Sequence, residues 1–190
     1  MISDRKFFLA VVIILSLILL PCMNSPCRGC IENSLTINGK KSDNTTNQSF
    51  LIYGSSNVSY YIVISNNSIK GDVILKGASN ILIENSIIQG DLEVSDRVIL
   101  TVRNTTIQGN IFVEDNATAY LYSINSSSLW CSNNASVSIH GSWIEFVQVC
   151  NLEFFAYNST FSYFLVKGEM RNLILDNISM IYSNFAKIYF

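Results

Sequence analysis

Few side chains in this sequence could bind a cation or transfer protons. Those with the most regular spacing along the chain form an acidic series. Asp72, Asp91 and Asn110 recur at one constant interval, and each follows a glycine. Carboxylate and amide oxygens are ligands for hard cations such as Ca²⁺, so a stack of these side chains is a weak candidate metal site. The alternative, which we favour, is a column of solvated corner carboxylates, and we expect no metal or other cofactor.

The remaining ionisable residues do not form a catalytic constellation. A polysaccharide lyase or hydrolase needs paired acidic or basic groups on one face. The sequence has a single histidine, His140, its charged residues make up only 14% of the chain, and its formal net charge is −2. We expect Arg103 to lie beside Glu84 as an ordinary surface ion pair. We therefore predict that the protein is not an enzyme, and without a basic stripe we expect no nucleic-acid partner.

Asparagine carries the most frequent chemical signature in the sequence. Ten N-x-S/T sequons exceed the number expected by chance, which favours N-glycosylation in a secretory route. The alternative is that Asn-Ser and Asn-Thr pairs serve as turn residues. The sequons begin at Asn44, Asn47, Asn57, Asn66, Asn104, Asn116, Asn125, Asn134, Asn158 and Asn177. The glycans are predicted at Asn44, Asn47, Asn57, Asn116 and Asn134.

Four of the five cysteines are predicted to form disulfides, which an oxidising compartment would preserve. Cys131 and Cys150 are separated by the same interval as the acidic series, so they would meet on successive turns of a repeat; two buried free thiols are the alternative. Cys27 and Cys30 form a lone C-x-x-C, for which we expect a local or intermolecular disulfide. Cys22 is expected to leave with the leader or to stay at the membrane.

The N-terminus has the pattern of an export signal. A basic start precedes an uncharged apolar run, 7–20, and Pro21 ends it. The run is shorter than the roughly 20 residues that span a bilayer, so a signal peptide is favoured over an uncleaved anchor helix. We assign residues 1–25 to this leader helix and 26–50 to a polar, cysteine-containing linker and first coil. We therefore expect an extracytoplasmic protein, either secreted or anchored at the cell surface.

An internal repeat predicts the elements that position these side chains. Three segments align without gaps at equally spaced isoleucines, with a period of about 19 residues. Each of these isoleucines is followed two positions later by a glycine. Later segments follow the period more loosely, and we expect an irregular coil with an insertion near residues 120–128. The anchor positions are Ile69, Ile88, Ile107, Trp143, Phe161 and Met180.

So short a period, with two or three short strands in each repeat, predicts an all-β parallel β-helix. Each coil would lay its strands on the coil below at about 4.8 Å, with alternate side chains pointing into the core. Residues 51–190 would form about seven such coils. A β-sandwich also has short strands, but it would not bring the same side chains back at a constant interval and is the less favoured alternative.

The motif I-x-G-[DN]-[VIL] and the N-[ST] corner resemble the right-handed parallel β-helix families, namely the pectate-lyase-like group and the short-period bactofilins. The resemblance covers roughly residues 51–190 and implies the fold only. In the pectate-lyase-like families an equivalent corner often holds an internal asparagine ladder, and the resemblance implies such a ladder here. Its column contains Asn66, Asn85, Asn104, Asn125, Asn158 and Asn177.

Aromatic residues become frequent toward the C-terminus, and we expect most of them in the core. The consecutive pairs Phe154/Phe155 and Tyr163/Phe164 must nevertheless place one ring outside, where it could grip a sugar ring or another protein. The last segment stays apolar and in rhythm, so the C-terminal coil is a candidate for pairing with a second copy. The alternative is that the last strand plugs the open end of its own solenoid.

The sequence therefore predicts an exported β-solenoid with a structural, adhesive or glycan-binding role. The alternatives are a carbohydrate-active enzyme of the pectate-lyase-like type and a self-assembling fibre subunit. The expected partners are the membrane through the N-terminal apolar segment, a carbohydrate or protein ligand, and a second copy of the chain through the C-terminal coil.

Overall fold

The computed structural model describes residues 34–38, 49–54, 60–150, 153–168 and 170–181. Several predicted features lie outside these residues, and they stay predictions: the leader, Cys22, Cys27, Cys30, Asn44, Asn47 and Asn57. In the described part of the chain no helix is long and apolar enough to cross a membrane.

Short strands separated by turns make up the described residues. In chain order they are β1 (Ser34–Asn38), β2 (Phe50–Gly54), β3 (Tyr60–Ser65), β4 (Ser68–Ile69), β5 (Val73–Gly77), β6 (Ser79–Glu84), β7 (Ile87–Ile88), β8 (Leu92–Val94), β9 (Ile99–Arg103), β10 (Thr106–Val113), β11 (Thr118–Tyr122), β12 (Asn125–Cys131), β13 (Ser136–His140), β14 (Trp143–Cys150), β15 (Glu153–Tyr157), β16 (Thr160–Lys167), β17 (Asn172–Asp176) and β18 (Ser179–Met180).

These strands form two sheets that wind together as a solenoid of about six turns. One sheet has eight strands in the order β1-β3-β6-β9-β11-β13-β15-β17. The other has ten, in the order β18-β16-β14-β12-β10-β8-β5-β2, with β4 paired to β7 and β7 to β10. Each described pairing is parallel and joins successive coils, so the predicted parallel β-helix is confirmed and the antiparallel sandwich is excluded.

The interior of the solenoid is filled by alternate residues of each strand. In β6 every second side chain is buried, and Ile81 lies opposite Leu100 of β9 in the next coil. The first three repeat anchors, Ile69, Ile88 and Ile107, are at most 4% exposed, as the repeat predicted. Burying each such side chain contributes roughly 1.5–3 kcal/mol, so these stacked apolar columns hold the coils together.

The coils shorten in the middle of the described chain and return to the regular length in the last coil, where Glu153 lies opposite Asn172, and this changes the residues that face inward. Register partners differ in residue number by 19 between β6 and β9, by 18 between β11 and β13, and by 17 between β13 and β15. The insertion predicted near residues 120–128 is wrong. Ser126 and Ser128 lie opposite Ile107 and Asn110, so this coil is one residue shorter at its corner rather than longer.

Trp143 is not a core anchor, contrary to the prediction. It lies on the outside, opposite Asn125 of β12 and Thr160 of β16, and it is 39% exposed. Ile144 takes the buried anchor position instead. Ile107 lies opposite Ser126, and Ser126 lies opposite Ile144, so the anchor falls one position beyond Trp143.

The consecutive aromatic pairs each divide between the inside and the outside, as predicted. Phe154 and Phe164 are buried, while Phe155 is half-buried on the outer face and Tyr163 is 40% exposed. Inside the last coils, the ring centroid of Phe161 lies 6.5 Å from that of Phe154 and 5.8 Å from that of Phe164. These three rings fill the core of the coil that follows the shortest step of the solenoid.

Candidate functional site

One corner of the solenoid carries asparagine in coil after coil. This asparagine corner turns through a left-handed backbone conformation, with φ between 46° and 56° at Asn66, Asn85, Asn104, Asn158 and Asn177. Among residues with a side chain, asparagine tolerates this conformation unusually well. Asn104 Nδ2 donates to Asn85 Oδ1 at 3.4 Å, and Asn177 Nδ2 donates to Asn158 Oδ1 at 2.6 Å.

The placement of this column differs from the predicted internal ladder. All five asparagines are exposed, so the amides bond one another on the outside of the solenoid. Asn125 does not belong to the column, because it begins β12 two residues after the corner. Ser123 and Gly141 occupy the corner in the two middle coils, with φ of 52° and 55°. The asparagine column is therefore interrupted in two successive coils.

The buried ladder at this corner consists of hydroxyl groups, in the position after the corner residue, which is asparagine in three of these coils and Gly141 in the fourth. Ser86, Thr105, Ser142 and Ser159 are each at most 4% exposed. Ser142 Oγ donates to the carbonyl of His140 at 2.9 Å and accepts the N–H of Ile124 from the preceding coil at 3.2 Å. The N-[ST] motif thus places an amide outside and a bonded hydroxyl inside, and a buried hydroxyl needs such partners.

A groove of about 650 Å³ opens where the asparagine column is interrupted. Asn104 and Asn158 stand at its two ends, and Trp143 forms one side. A Cβ atom at Gly141 would meet only Ser123 Oγ, at 3.8 Å, so the space beside this glycine is open. The groove is lined by Asn104, Thr105, Thr106, Ser123, Ile124, Asn125, Gly141, Ser142, Trp143, Asn158 and Thr160.

The chemistry of this groove is that of a neutral polar binding site. Its lining residues offer amide and hydroxyl donors and acceptors, one partly exposed indole ring and no ionisable side chain. Binding sites of this kind bury an apolar body against a ring and fix its orientation with a few polar groups. The groove can therefore hold a ligand, but its lining supplies no general acid or base.

A column of stacked rings borders the corner on the side of the eight-stranded sheet. His140 lies between Tyr122 and Tyr157, with ring centroids 5.2 and 4.7 Å apart, and the Arg103 guanidinium lies 5.6 Å from the Tyr122 centroid. Glu84 lies opposite Arg103 in the preceding coil, as predicted, but the two side chains do not form the predicted ion pair, because the guanidinium lies over the Tyr122 ring. The rings cover one another's faces, so this column stabilises the sheet and presents only ring edges outward. Sequence reasoning missed it because these coils are shorter than the isoleucine repeat.

The carboxylates of the acidic series, Asp72 and Asp91, accept hydrogen bonds from the backbone of the next coil. Asp72 Oδ1 accepts the N–H of Asp91 at 2.9 Å, and Asp91 Oδ1 accepts the N–H of Asn110 at 2.7 Å. The ladder continues from Asn110 through Ser128 Oγ to the indole N–H of Trp130. These half-buried carboxylates thus cap the next coil. No group of three His, Cys, Asp or Glu side chains in the described residues could hold a metal ion.

The predicted disulfide between Cys131 and Cys150 is not formed, and both thiols are free. Cys131 lies opposite Val149, because this coil is one residue shorter than the regular coils, so Cys150 falls one position further along the strand. Adjacent residues of a strand point to opposite faces. Cys131 is therefore buried and Cys150 faces outward, and burial raises the pKa of the Cys131 thiol.

The sequon asparagines of the described residues all have exposed side chains. Asn116 and Asn134 stack at a different corner, because the hydroxyl residues of their sequons, Thr118 and Ser136, are register partners. The Asn134 carbonyl also accepts a hydrogen bond from Arg171 at 3.1 Å. Glycosylation remains a prediction for these sites, and Asn116 and Asn134 lie away from the groove.

The comparisons with known proteins give no family for this chain. No family model, no curated protein and no solved structure matches it. Its architecture is that of the parallel β-helix proteins, which it resembles at the level of the fold.

Proposed function

We propose that the protein is an exported, non-enzymatic β-solenoid that binds carbohydrate in the groove at the asparagine corner. The observation that carries this proposal is the interruption of the asparagine column by Ser123 and Gly141, beside the exposed ring of Trp143. Two small residues in successive coils remove the side chains that fill the corner elsewhere. The opened space combines an aromatic wall with amides and hydroxyls.

Carbohydrate is the ligand class that best matches this lining. A sugar ring has apolar C–H faces that pack against an indole, and its peripheral hydroxyls both donate and accept hydrogen bonds. Trp143 offers the indole, and Asn125, Thr106 and Thr160 offer short polar groups beside it. A volume of about 650 Å³ lies within the range of small-molecule sites and suits a short oligosaccharide.

The sequence supports an extracytoplasmic setting for this binding. The leader in residues 1–25 would export the chain or anchor it at the cell surface, and the sequon excess fits a glycosylating secretory route. Glycans at Asn116 and Asn134 would project from another corner and leave the groove open. The absence of ionisable groups from the groove lining favours a binding role over the alternative of a carbohydrate-active enzyme.

Self-association through the C-terminal coil is a second candidate function, favoured by the exposure of that coil. Ile174 and Ile181 are 41% and 54% exposed, and the inward positions Leu173 and Leu175 are only half-buried. The register partner of Leu173 in the preceding coil, Phe154, is 0% exposed. A second copy of the chain stacked on this coil would cover these apolar side chains.

Binding of the secreted protein to a panel of immobilised oligosaccharides tests the proposal. We expect a subset to bind with a Kd on the order of 0.1–1 mM, as a small open site permits. Trp143→Ala should weaken that binding about tenfold or more, because the ring covers the apolar face of the sugar. Tyr120→Ala is the matched control, since this ring is similarly exposed, at 38% against 39%, but lies outside the groove. Equal weakening by both variants, or no binding to any member, would contradict the proposal.

A further inference from the structure

We infer that the groove selects neutral sugars over acidic ones and holds them between an acceptor at Asn104 and a donor at Asn158. This inference rests on the proposed carbohydrate-binding function and names the class of ligand. It follows from the charges around the groove and from the hydrogen bonds that the two end asparagines already make.

The lining offers no cationic partner that could form an ion pair with a carboxylate or sulfate. Its residues are uncharged, and the nearest cationic side chain in sequence, Arg103, lies over the Tyr122 ring on the other side of the corner. Glu145, two residues after Trp143, is exposed and adds negative charge nearby. An acidic sugar would lose part of its hydration shell without gaining an ion pair, whereas the hydroxyls of a neutral sugar can bond to amides and hydroxyls.

The asparagines at the two ends of the groove have opposite hydrogen-bonding roles, an acceptor at Asn104 and a donor at Asn158. Asn104 lines the groove and donates its Nδ2 to Asn85, which leaves its Oδ1 available as an acceptor. Asn158 accepts at its Oδ1 from Asn177, which leaves its Nδ2 as a donor. A ligand hydroxyl can therefore donate at one end of the groove, while another accepts at the opposite end.

The spacing of the coils sets the length of sugar that this arrangement fits. Asn104 and Asn158 are separated by three coil steps, through Ser123 and Gly141. At about 4.8 Å per step the two amides are roughly 14 Å apart along the solenoid axis. A short oligosaccharide lying parallel to the axis spans this distance, with one of its rings against Trp143.

Asn104 and Asn158 also begin N-x-S/T sequons, so the groove is open to a ligand only when they carry no glycan. Asn104, Asn125 and Asn158 line the groove, so a glycan on any of them would fill it. The inference therefore requires these side chains to be unmodified. Mass spectrometry of the secreted protein measures their occupancy, and protein from a host without N-glycosylation supplies a fully unmodified sample.

Calorimetric titration of the unmodified full chain with matched neutral and acidic oligosaccharides tests the inference. The two sets share length and linkage, and the acidic set replaces one neutral sugar with its uronic acid. We expect at least about tenfold tighter binding of the neutral set. Its affinity should not change between about 0.05 and 0.5 M salt, because no ion pair is involved.

Variants of the corner separate this inference from the proposed function. Gly141→Asn restores the column at a φ of 55° that asparagine adopts elsewhere in this protein, and it should abolish binding by filling the groove. Asn66→Gly, at the same corner outside the groove, should not change the affinity. Asn158→Asp removes the donor and should weaken binding about tenfold, whereas Asn104→Asp keeps an acceptor and should weaken it less.

The outcomes are distinct. Equal or tighter binding of the acidic set would overturn the neutral-sugar inference and leave carbohydrate binding standing. Full affinity in Gly141→Asn would show that the ligand binds elsewhere and would overturn both. Binding of neither set would likewise overturn both. If mass spectrometry shows a glycan on any of the three groove asparagines of the natively secreted protein, the groove is occupied by its own glycan and the inference is wrong.

Discussion

Replacing Gly109 with alanine should lower the free energy of unfolding by about 3 kcal/mol, because the coils stack without space for a side chain at this corner. A Cβ atom there would meet Asp91 Oδ1 and the carbonyl oxygen of Gly90. Asp91 Oδ1 is also the acceptor for the N–H of Asn110, at 2.7 Å, so the added methyl group would disturb the hydrogen bond that caps the next coil.

Urea denaturation of the purified protein measures this effect. Gln108→Ala is the matched control, because the Gln108 side chain is exposed and this variant keeps Gly109 at the adjacent position. The control should change the free energy of unfolding by no more than about 0.5 kcal/mol. If Gly109→Ala proves as stable as the control, the close approach of Gly109 to Asp91 is wrong.

Phe161→Ala should cost about 4 kcal/mol of stability, since it empties the centre of the aromatic core in the C-terminal coils. The Phe161 ring is fully buried, and both Phe154 and Phe164 lose a packing partner when it is removed. Thermal and urea unfolding of the variant provide the measurement.

Trp143→Ala is the control for the core substitution. It removes an even larger ring one coil earlier, but that ring is 39% exposed, so we expect a loss of only about 1 kcal/mol. Comparable losses for the two variants would mean that Trp143, and not Ile144, faces inward. The outward placement of the ring beside the groove would then be wrong.

The sequence predicted the fold well where the repeat is regular. Ile69, Ile88 and Ile107 keep a constant spacing together with their glycines, and so short a constant period is typical of a solenoid. The structure places all three inside. The parallel pairing of the strands then follows, because each coil must lie on the previous one in the same direction.

Spacing alone failed where the coils change length. Adjacent residues of a strand point to opposite faces, so an error of one position in the register turns an inward side chain outward. In the shorter coils this error led to the wrong predictions for Trp143 and for the disulfide between Cys131 and Cys150. The alternation of Ile144, Val147 and Val149 was the available signal for the correct phase. It is weaker than the isoleucine repeat, because the corner between Ile144 and Val147 breaks the alternation.

The groove could not be predicted before the register was known. Ser123 and Gly141 have no special signature as single residues, and they become a site only because they replace asparagine in two stacked coils. The corner hydroxyls were missed for a related reason. The left-handed turn directs the asparagine outward and the following Ser or Thr inward, which a reading of the Asn-Ser/Thr pair as a sequon does not reveal.

Tryptophan fluorescence gives the most direct test of carbohydrate binding at the asparagine corner. The chain has two tryptophans, so Trp130→Phe leaves Trp143 as the only one. Titration of this variant with a neutral oligosaccharide that binds the wild-type protein should shift or quench the emission in a saturable way, and Gly141→Asn in the same background should remove the response. An oligosaccharide that binds the variant by calorimetry and leaves the Trp143 emission unchanged would contradict binding in this groove.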